Sequence, residues 1–293
     1  MSTVGRGEDV VRRKLDKTQA KAERGSGWYA GAARAGLVAK GVSYGLVAVL
    51  AIGVAVGQGG KATSRSGALA TIADESWGKI VLVLLAVGFA AYAIWRFIQA
   101  VFEREDEHEN EAKSTAKKWG KRAGYVGRGL IYAGLTYTTI KLLTDGSGQQ
   151  SQNQSAKQTT STVFDWPGGR WLVAIGGLAV LGAGIWNVYR ALSRKYEEKW
   201  RGGMSRTERT WGSRAGLIGH LARGVVFGLV GIFLLKAALE FDPDEAIGLD
   251  GALQTLANAP HGPWVLALTA LGLLAYGLYC LVDARYRDVS ANS

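Results

Sequence analysis

Apolar residues along this chain gather into long blocks and polar ones into the gaps between them, with little alternation inside a block. The blocks run over 36–56, 78–101, 123–143, 170–192, 215–238 and 262–282, each 20 to 24 residues long. At about 1.5 Å of rise per residue, a helix of that length crosses a hydrocarbon core of roughly 30 Å. A soluble core helix is shorter and keeps a polar face, which these blocks mostly lack. The pattern predicts an all-α integral membrane protein with six transmembrane helices. The first block follows 35 mostly polar residues and is too long and too glycine-rich for a cleaved signal, so it is expected to remain as span 1.

The blocks repeat. Spans 1, 3 and 5 open with GLVAKGVSYG at 36, GYVGRGLIYA at 124 and GHLARGVVFG at 219, sharing G-x-x-x-[KR]-G-[VL]-x-[YF]-[GA]. Spans 2, 4 and 6 carry GFAAYAIWR at 88, GAGIWNVYR at 182 and GLLAYGLYC at 272. The loop GALATIA at 67 returns before span 6 as GALQTLA at 251. The second copy instead has DGSGQQSQNQSAKQTTST, a polar low-complexity tract with no means of burying a core. Its Asn153-Gln154-Ser155 matches a glycosylation acceptor only formally.

Each copy holds two helices, so all three insert in one orientation, and parallel repeats are related by an axis along the membrane normal. A pseudo-threefold arrangement of hairpins is predicted, with a linear array as the alternative. The copies occupy 34–104, 122–196 and 214–287. Around them lie a basic N-terminal segment (1–33), charged linkers at 105–121 and 197–213, the polar outer loop 144–163 and a tail at 288–293.

Three tandem copies of a helix pair with this motif in the first helix resemble a bacterial membrane family known as domain of unknown function 1206 (DUF1206), over roughly residues 30–290. What the resemblance implies is a multi-pass protein of the bacterial inner (plasma) membrane built from three such domains. It implies no activity. The second copy departs from the pattern in its loop.

Charge gives the orientation. Of 35 basic residues, 25 lie before span 1, in the two linkers with their flanks, and after Cys280, against five (Lys61, Arg65, Lys79, Lys157, Arg170) in the other loops. The positive-inside rule then places both termini and both linkers in the cytoplasm. The outer loop EFDPDEAIGLD, 240–250, is acidic. Trp28, Trp119 and Trp211 precede the odd spans on the inner side, and Trp77, Trp166 and Trp264 precede the even spans on the outer side. Such positions form aromatic belts at the headgroups. The net charge of +11 therefore reads as topology and attraction to anionic lipid rather than as a nucleic-acid footprint.

Within the motif, Gly36, Gly41, Gly45, Gly124, Gly129, Ala133, Gly219, Gly224 and Gly228 are expected to pack helices, since small residues let backbones approach in lipid. Lys40, Arg128 and Arg223 sit one turn inside the inner boundary. Two readings stay open: their charges snorkel to the headgroups, or they turn inward and bind an anion, a lipid phosphate first, with Arg96 and Arg190 completing the site. Lys141 and Lys236, near the outer ends, read as snorkelling. Tyr44, Tyr132, Phe227, Tyr92, Trp186 and Tyr276 are expected to form an aromatic layer in the inner half, where the hydroxyls and the Asn187 amide need partners. The acidic run EREDEHENE, 103–111, reads as a solvated extension of span 2, and residues 8–24 as a charged cytoplasmic helix.

No catalytic set is visible. The single cysteine, Cys280, excludes an internal disulfide, and His108, His220 and His261 have no ligand spacing, so neither a metal nor a cofactor is expected. No acidic residue lies inside a span, which disfavours an enzyme and a proton- or ion-coupled transporter alike. Mitochondrial carriers share the plan of three parallel helix pairs. They break their odd helices at proline, and here all four prolines fall in outer loops. The first-ranked reading is a structural or interaction protein whose basic cytoplasmic face meets anionic lipid, a protein partner or a second copy. An uncoupled small-molecule transporter or pore is the alternative.

Overall fold

A computed structural model describes residues 4–57, 68, 69, 73, 77–102, 111–145, 152–198, 200 and 203–287. The eight helices there are α1 (Val4–Ala55), α2 (Gly78–Phe102), α3 (Glu111–Asp145), α4 (Gln152–Phe164), α5 (Gly169–Leu192), α6 (Arg206–Glu240), α7 (Leu249–Ala257) and α8 (Gly262–Tyr286). No strand occurs among the described residues; one antiparallel bridge joins Trp200 to Arg287. Lys61, Arg65, His108 and the run 103–110 lie outside the described residues, as do the side chains of Trp28 and Trp119.

Among the described residues five helices are long and apolar enough to cross a membrane: Ala30–Ala55 within α1, Gly78–Val101, Gly169–Leu192, Arg206–Glu240 and Gly262–Tyr286. The sixth predicted span, in α3, is not among these. It carries Arg128, Lys141 and a run of threonines. Those threonines are satisfied within the helix, Thr136 donating to the Tyr132 carbonyl at 2.8 Å and Thr139 to that of Leu135 at 2.6 Å.

The second helix of each copy packs on the first helix of the next: α2 on α3, α5 on α6, and α8 back on α1. Inside the first and third copies the two helices also pack, α1 on α2 and α6 on α8. In the second copy α3 and α5 share no such interface among the described residues. The contacts among the described residues thus run in the series α3, α2, α1, α8, α6, α5, with α3 and α5 at its two ends.

The motif glycines explain which faces meet. A methyl group added at Gly219 would lie 2.5 Å from the Cα of Tyr276, and one at Gly36 would strike Tyr92 in the same way, 2.8 Å from its Cα. These are contacts within a copy. The next motif glycine faces the preceding copy: Gly41 meets the Gly277 carbonyl at 2.8 Å, Gly129 the Phe97 ring at 2.8 Å, and Gly224 the Val188 side chain at 2.6 Å. Gly45 and Gly228 leave their own surroundings open but admit Gly277 and Gly184 against their backbones. Gly124, in the open copy, meets only the Arg128 side chain at 3.8 Å.

Two loop regions are more ordered than the sequence reading allows. The polar tract of the second copy forms α4, which packs on α5, on α7 and on the 3-10 turn Pro243–Glu245. Asn153 accepts from the Gly248 amide at 3.2 Å, Lys157 pairs with Asp244 at 3.1 Å, and Phe164 stacks on Phe241. The tract buries little of its own, with Thr160 the exception, and is held by partners on another copy. The repeated loop sequence around 251–257 is α7, which sinks Leu253 into the core as Leu69 does in the first copy.

Gly219→Leu forces a branched side chain into the Tyr276 backbone, whereas Gly124→Leu meets open space. Overpacking of this kind costs about 1–3 kcal/mol. The melting temperature of the detergent-purified protein should fall clearly for Gly219→Leu and stay near the wild-type value for Gly124→Leu. Equal losses at both sites would contradict the assignment of contacts.

Candidate functional site

A cation inside a helix bundle must reach water, a counter-charge or an aromatic face. The motif cations of the first and third copies take the last course. Lys40 Nζ lies 5.1 Å from the centre of the Tyr276 ring and 6.0 Å from that of Tyr92. Arg223 donates from Nη1 to the Tyr276 hydroxyl at 2.6 Å, its guanidinium carbon 4.4 Å from that ring, 4.9 Å from Phe227 and 5.5 Å from Tyr44. Arg96 donates to the Tyr92 hydroxyl and to Gln99, each at 2.6 Å, and stands 4.2 Å over Trp95. Three cations therefore share two tyrosines, Tyr92 from α2 and Tyr276 from α8.

The remaining two motif-level cations stand apart. Arg128 is exposed, 5.8 Å from the Tyr125 ring, and Arg190 is half-buried on α5. Both belong to the open copy. Among the described residues no salt bridge reaches Lys40, Arg96, Arg128, Arg190 or Arg223. The nearby buried carboxylate, Asp283, is committed: Arg287 holds it at 2.7 Å and Trp200 donates to it at 3.3 Å. Burial alone would pull the Arg287 guanidinium down, but the Asp283 carboxylate against it moves it above its ordinary value.

The aromatic layer forms at two of its three expected places. Tyr44 meets Tyr276 edge-on at 4.8 Å, and Tyr92 meets Tyr132 at 4.3 Å. In each pair the tyrosine of a second helix touches that of the next copy's first helix. The corresponding pair of Trp186 with Phe227 is not formed: Trp186 is 54% exposed and lies against Tyr189. Register is the reason. On α8 the small residue that meets the motif glycines is Gly277, just after Tyr276. On α5 it is Gly184, two positions before Trp186, so the indole turns outward. Asn187 is buried and bonds within its own helix, to the Ala183 carbonyl at 2.7 Å.

Two features escaped sequence reasoning. His220 is fully buried, its Nδ1 2.8 Å from the Gly216 carbonyl, stacked on Tyr196 at 5.2 Å and flanked by Tyr276 and Tyr279. Tyr196 comes from a loop with no repeat signature, so nothing in the pattern pointed to it. A cavity of about 380 Å³ between the segment after α5 and the N-terminal part of α6 is lined by Arg194, Arg206, Arg209 and Arg214, with Glu197 bonded to Ser213 at 2.6 Å. Lys236, expected to snorkel, is instead paired with Glu245 at 2.8 Å and Glu240 at 3.9 Å, because the acidic segment 240–250 folds back over its helix. Lys141 is exposed. Among the described residues no group of His, Cys, Asp and Glu could hold a metal ion.

These three helix pairs coincide with three matches to one family model, described as Domain of Unknown Function (DUF1206), over 35–103, 123–194 and 218–287. The chain belongs to the DUF1206 family. It is 28% identical over 264 residues to "Uncharacterized protein YxxB" of Bacillus subtilis (strain 168), covering 90% of this chain and 93% of that one. No solved structure matches it. In DUF1206 terms, the cation–tyrosine cluster joins the first and third domains, and the second domain presents its cations at the open side.

Tyr276→Phe leaves the half-buried Arg223 Nη1 donor without its acceptor, which costs about 1 kcal/mol or more. Trp186→Leu removes an exposed indole that packs against little. Chemical denaturation in detergent should separate the two, with a substantial loss only for Tyr276→Phe. Matching losses would show that the hydroxyl bond adds nothing to stability.

Proposed function

We propose that this DUF1206 protein is a six-span bacterial inner-membrane protein with cytoplasmic termini, acting as a structural or interaction protein that engages anionic lipid through a cationic inner layer. The observation that carries the reading is the layer itself: five motif-level cations, Lys40, Arg96, Arg128, Arg190 and Arg223, with no carboxylate paired to any of them among the described residues. At the cytoplasmic boundary, phosphate headgroups are the anions in greatest supply.

Crossing by α3 is supported by its exit. The helix that follows it, α4, packs on α7 and the Pro243–Glu245 turn, which belong to the outer loop of the third copy. Were α3 not to cross, the basic linkers 105–121 and 197–213 would fall on opposite sides of the membrane, against the positive-inside rule. The cyclic order of contacts supports a pseudo-threefold arrangement, opened at the second copy.

A reporter fused after Asp145 should score as periplasmic; a cytoplasmic score removes the sixth span. For the lipid reading, native mass spectrometry of the purified protein is decisive. Arg128→Gln combined with Arg190→Gln, on the open copy, should lower retention of phosphatidylglycerol several-fold. Unchanged retention would end the lipid reading, and mutation-sensitive solute flux in proteoliposomes would replace it with the transport alternative.

A further inference from the structure

We propose that the wedge between α1, α2, α6 and α8 is a built site for a single phosphate-class oxyanion, held between Lys40, Arg96 and Arg223. The proposal rests on the reading of the chain as a membrane protein with a cationic inner layer, and it assigns the buried half of that layer a ligand of its own.

The donors outnumber the acceptors. A guanidinium carries five N–H donors and an ammonium three, with no acceptor on either. Arg96 spends donors on Tyr92 and Gln99, and Arg223 spends one on Tyr276. Each phenol oxygen thus already takes an arginine. The Nε groups of both arginines are buried with no partner among the described residues, and Arg96 as a whole is only 5% exposed. Lys40 rests on the faces of the same two rings. Ring faces hold a cation but accept no strong hydrogen bond, so the donor deficit stands after the tyrosines are counted.

The charges outnumber too. Asp283, the carboxylate near this level, is occupied by Arg287 and Trp200. Like charges gathered in a low dielectric repel, and one tetrahedral oxyanion between them relieves the repulsion and satisfies the unspent N–H groups together. Arginine's planar fork suits the paired oxygens of a phosphate group, and lysine adds a point charge. Lys40 and Arg223 are half-buried where Arg96 is buried, so access is from their side. The oxyanion can be the phosphate of an inner-leaflet lipid or a free phosphate; its recognition chemistry is the same.

The test uses the full chain, delipidated in neutral detergent, with melting temperature read in chloride, in sodium phosphate at matched ionic strength, and with added phosphatidylglycerol. Saturating ligand should raise the wild-type melting temperature by about 5 °C. A rise with phosphate identifies a free anion, and a rise with phosphatidylglycerol alone identifies a headgroup; either supports the site. The rise should vanish in Lys40→Gln/Arg96→Gln/Arg223→Gln, and the rise with phosphate should persist in Arg128→Gln/Arg190→Gln. If the triple variant does not fold, Lys40→Gln alone keeps both arginine–tyrosine bonds and should weaken the apparent affinity about tenfold. No wild-type response beyond chloride, or an equal response in wild type and Lys40→Gln, overturns the proposal. A response lost only in Arg128→Gln/Arg190→Gln overturns the buried site while leaving the lipid reading of the open copy in place.

Discussion

Backbone-to-backbone approach at the motif glycines sets the geometry on which everything else in this protein depends. Lipid tails are as apolar as leucine, so no hydrophobic force drives one spanning helix onto another, and close packing must do it. Gly41 and Gly277 face each other so tightly that a Cβ on either would meet the other's carbonyl at 2.8 Å. Two motif glycines five positions apart lie about 140° apart around a helix with 3.6 residues per turn. One therefore grips the partner in its own copy and the other grips the preceding copy. A helix with two such faces can hold a neighbour on each side, as α1 holds α2 and α8.

The same arithmetic fixes where the charge goes. The motif cation is four positions after the first glycine and the aromatic eight, which places them about 40° and 80° around the helix, between the two gripping faces. Lys40 and Tyr44 must then point into the wedge between α2 and α8, and Lys40 does lie over rings from both. Snorkelling would suit a cation on the lipid-facing arc, and this spacing does not put one there. Two unit charges about 10 Å apart repel by roughly 1.5–2 kcal/mol at an effective dielectric of 20. Cation–ring contacts, each worth about 0.5–2 kcal/mol, are of the same size. The tyrosines can hold the cations, but they cannot neutralise them.

Much of this was legible before any coordinates, and what was not has identifiable causes. Block length alone predicts six spans, and five of them are helices long and apolar enough to cross a membrane among the described residues, as expected where the backbone must be satisfied inside lipid segment by segment. Burial of Tyr44, Tyr92, Tyr132 and Tyr276 follows from their repeat positions. Trp186 misleads because a repeat alignment fixes a residue's place along its own helix but not the register of that helix against its neighbour. The α5–α6 pair settles on Gly184, three positions earlier than its counterpart on α8. The helix α4 was invisible for a different reason: its anchors, Asp244, Gly248 and Phe241, lie far along the chain in the third copy, and a polar tract has no local pattern that names them.

The departures cluster in the second copy, and one cause links them. With Gly184 in the contact and Trp186 outside it, α5 leans on α6 along its length, through Gly177 against Leu235 and Gly231 against Leu181. Among the described residues this helix does not also close on α3; Gly182 faces open space and Gly124 meets only the Arg128 side chain. The outer loop of this copy has accordingly lost the apolar segment that the others bury as Leu69 and Leu253, and it is tied down from the third copy instead. A copy released from its own hairpin contact keeps its motif arginine but not the tyrosine wedge around it. The repeat therefore yields two electrostatic environments from one sequence pattern: cations enclosed by rings where the hairpins close, and a cation open to its surroundings where one does not.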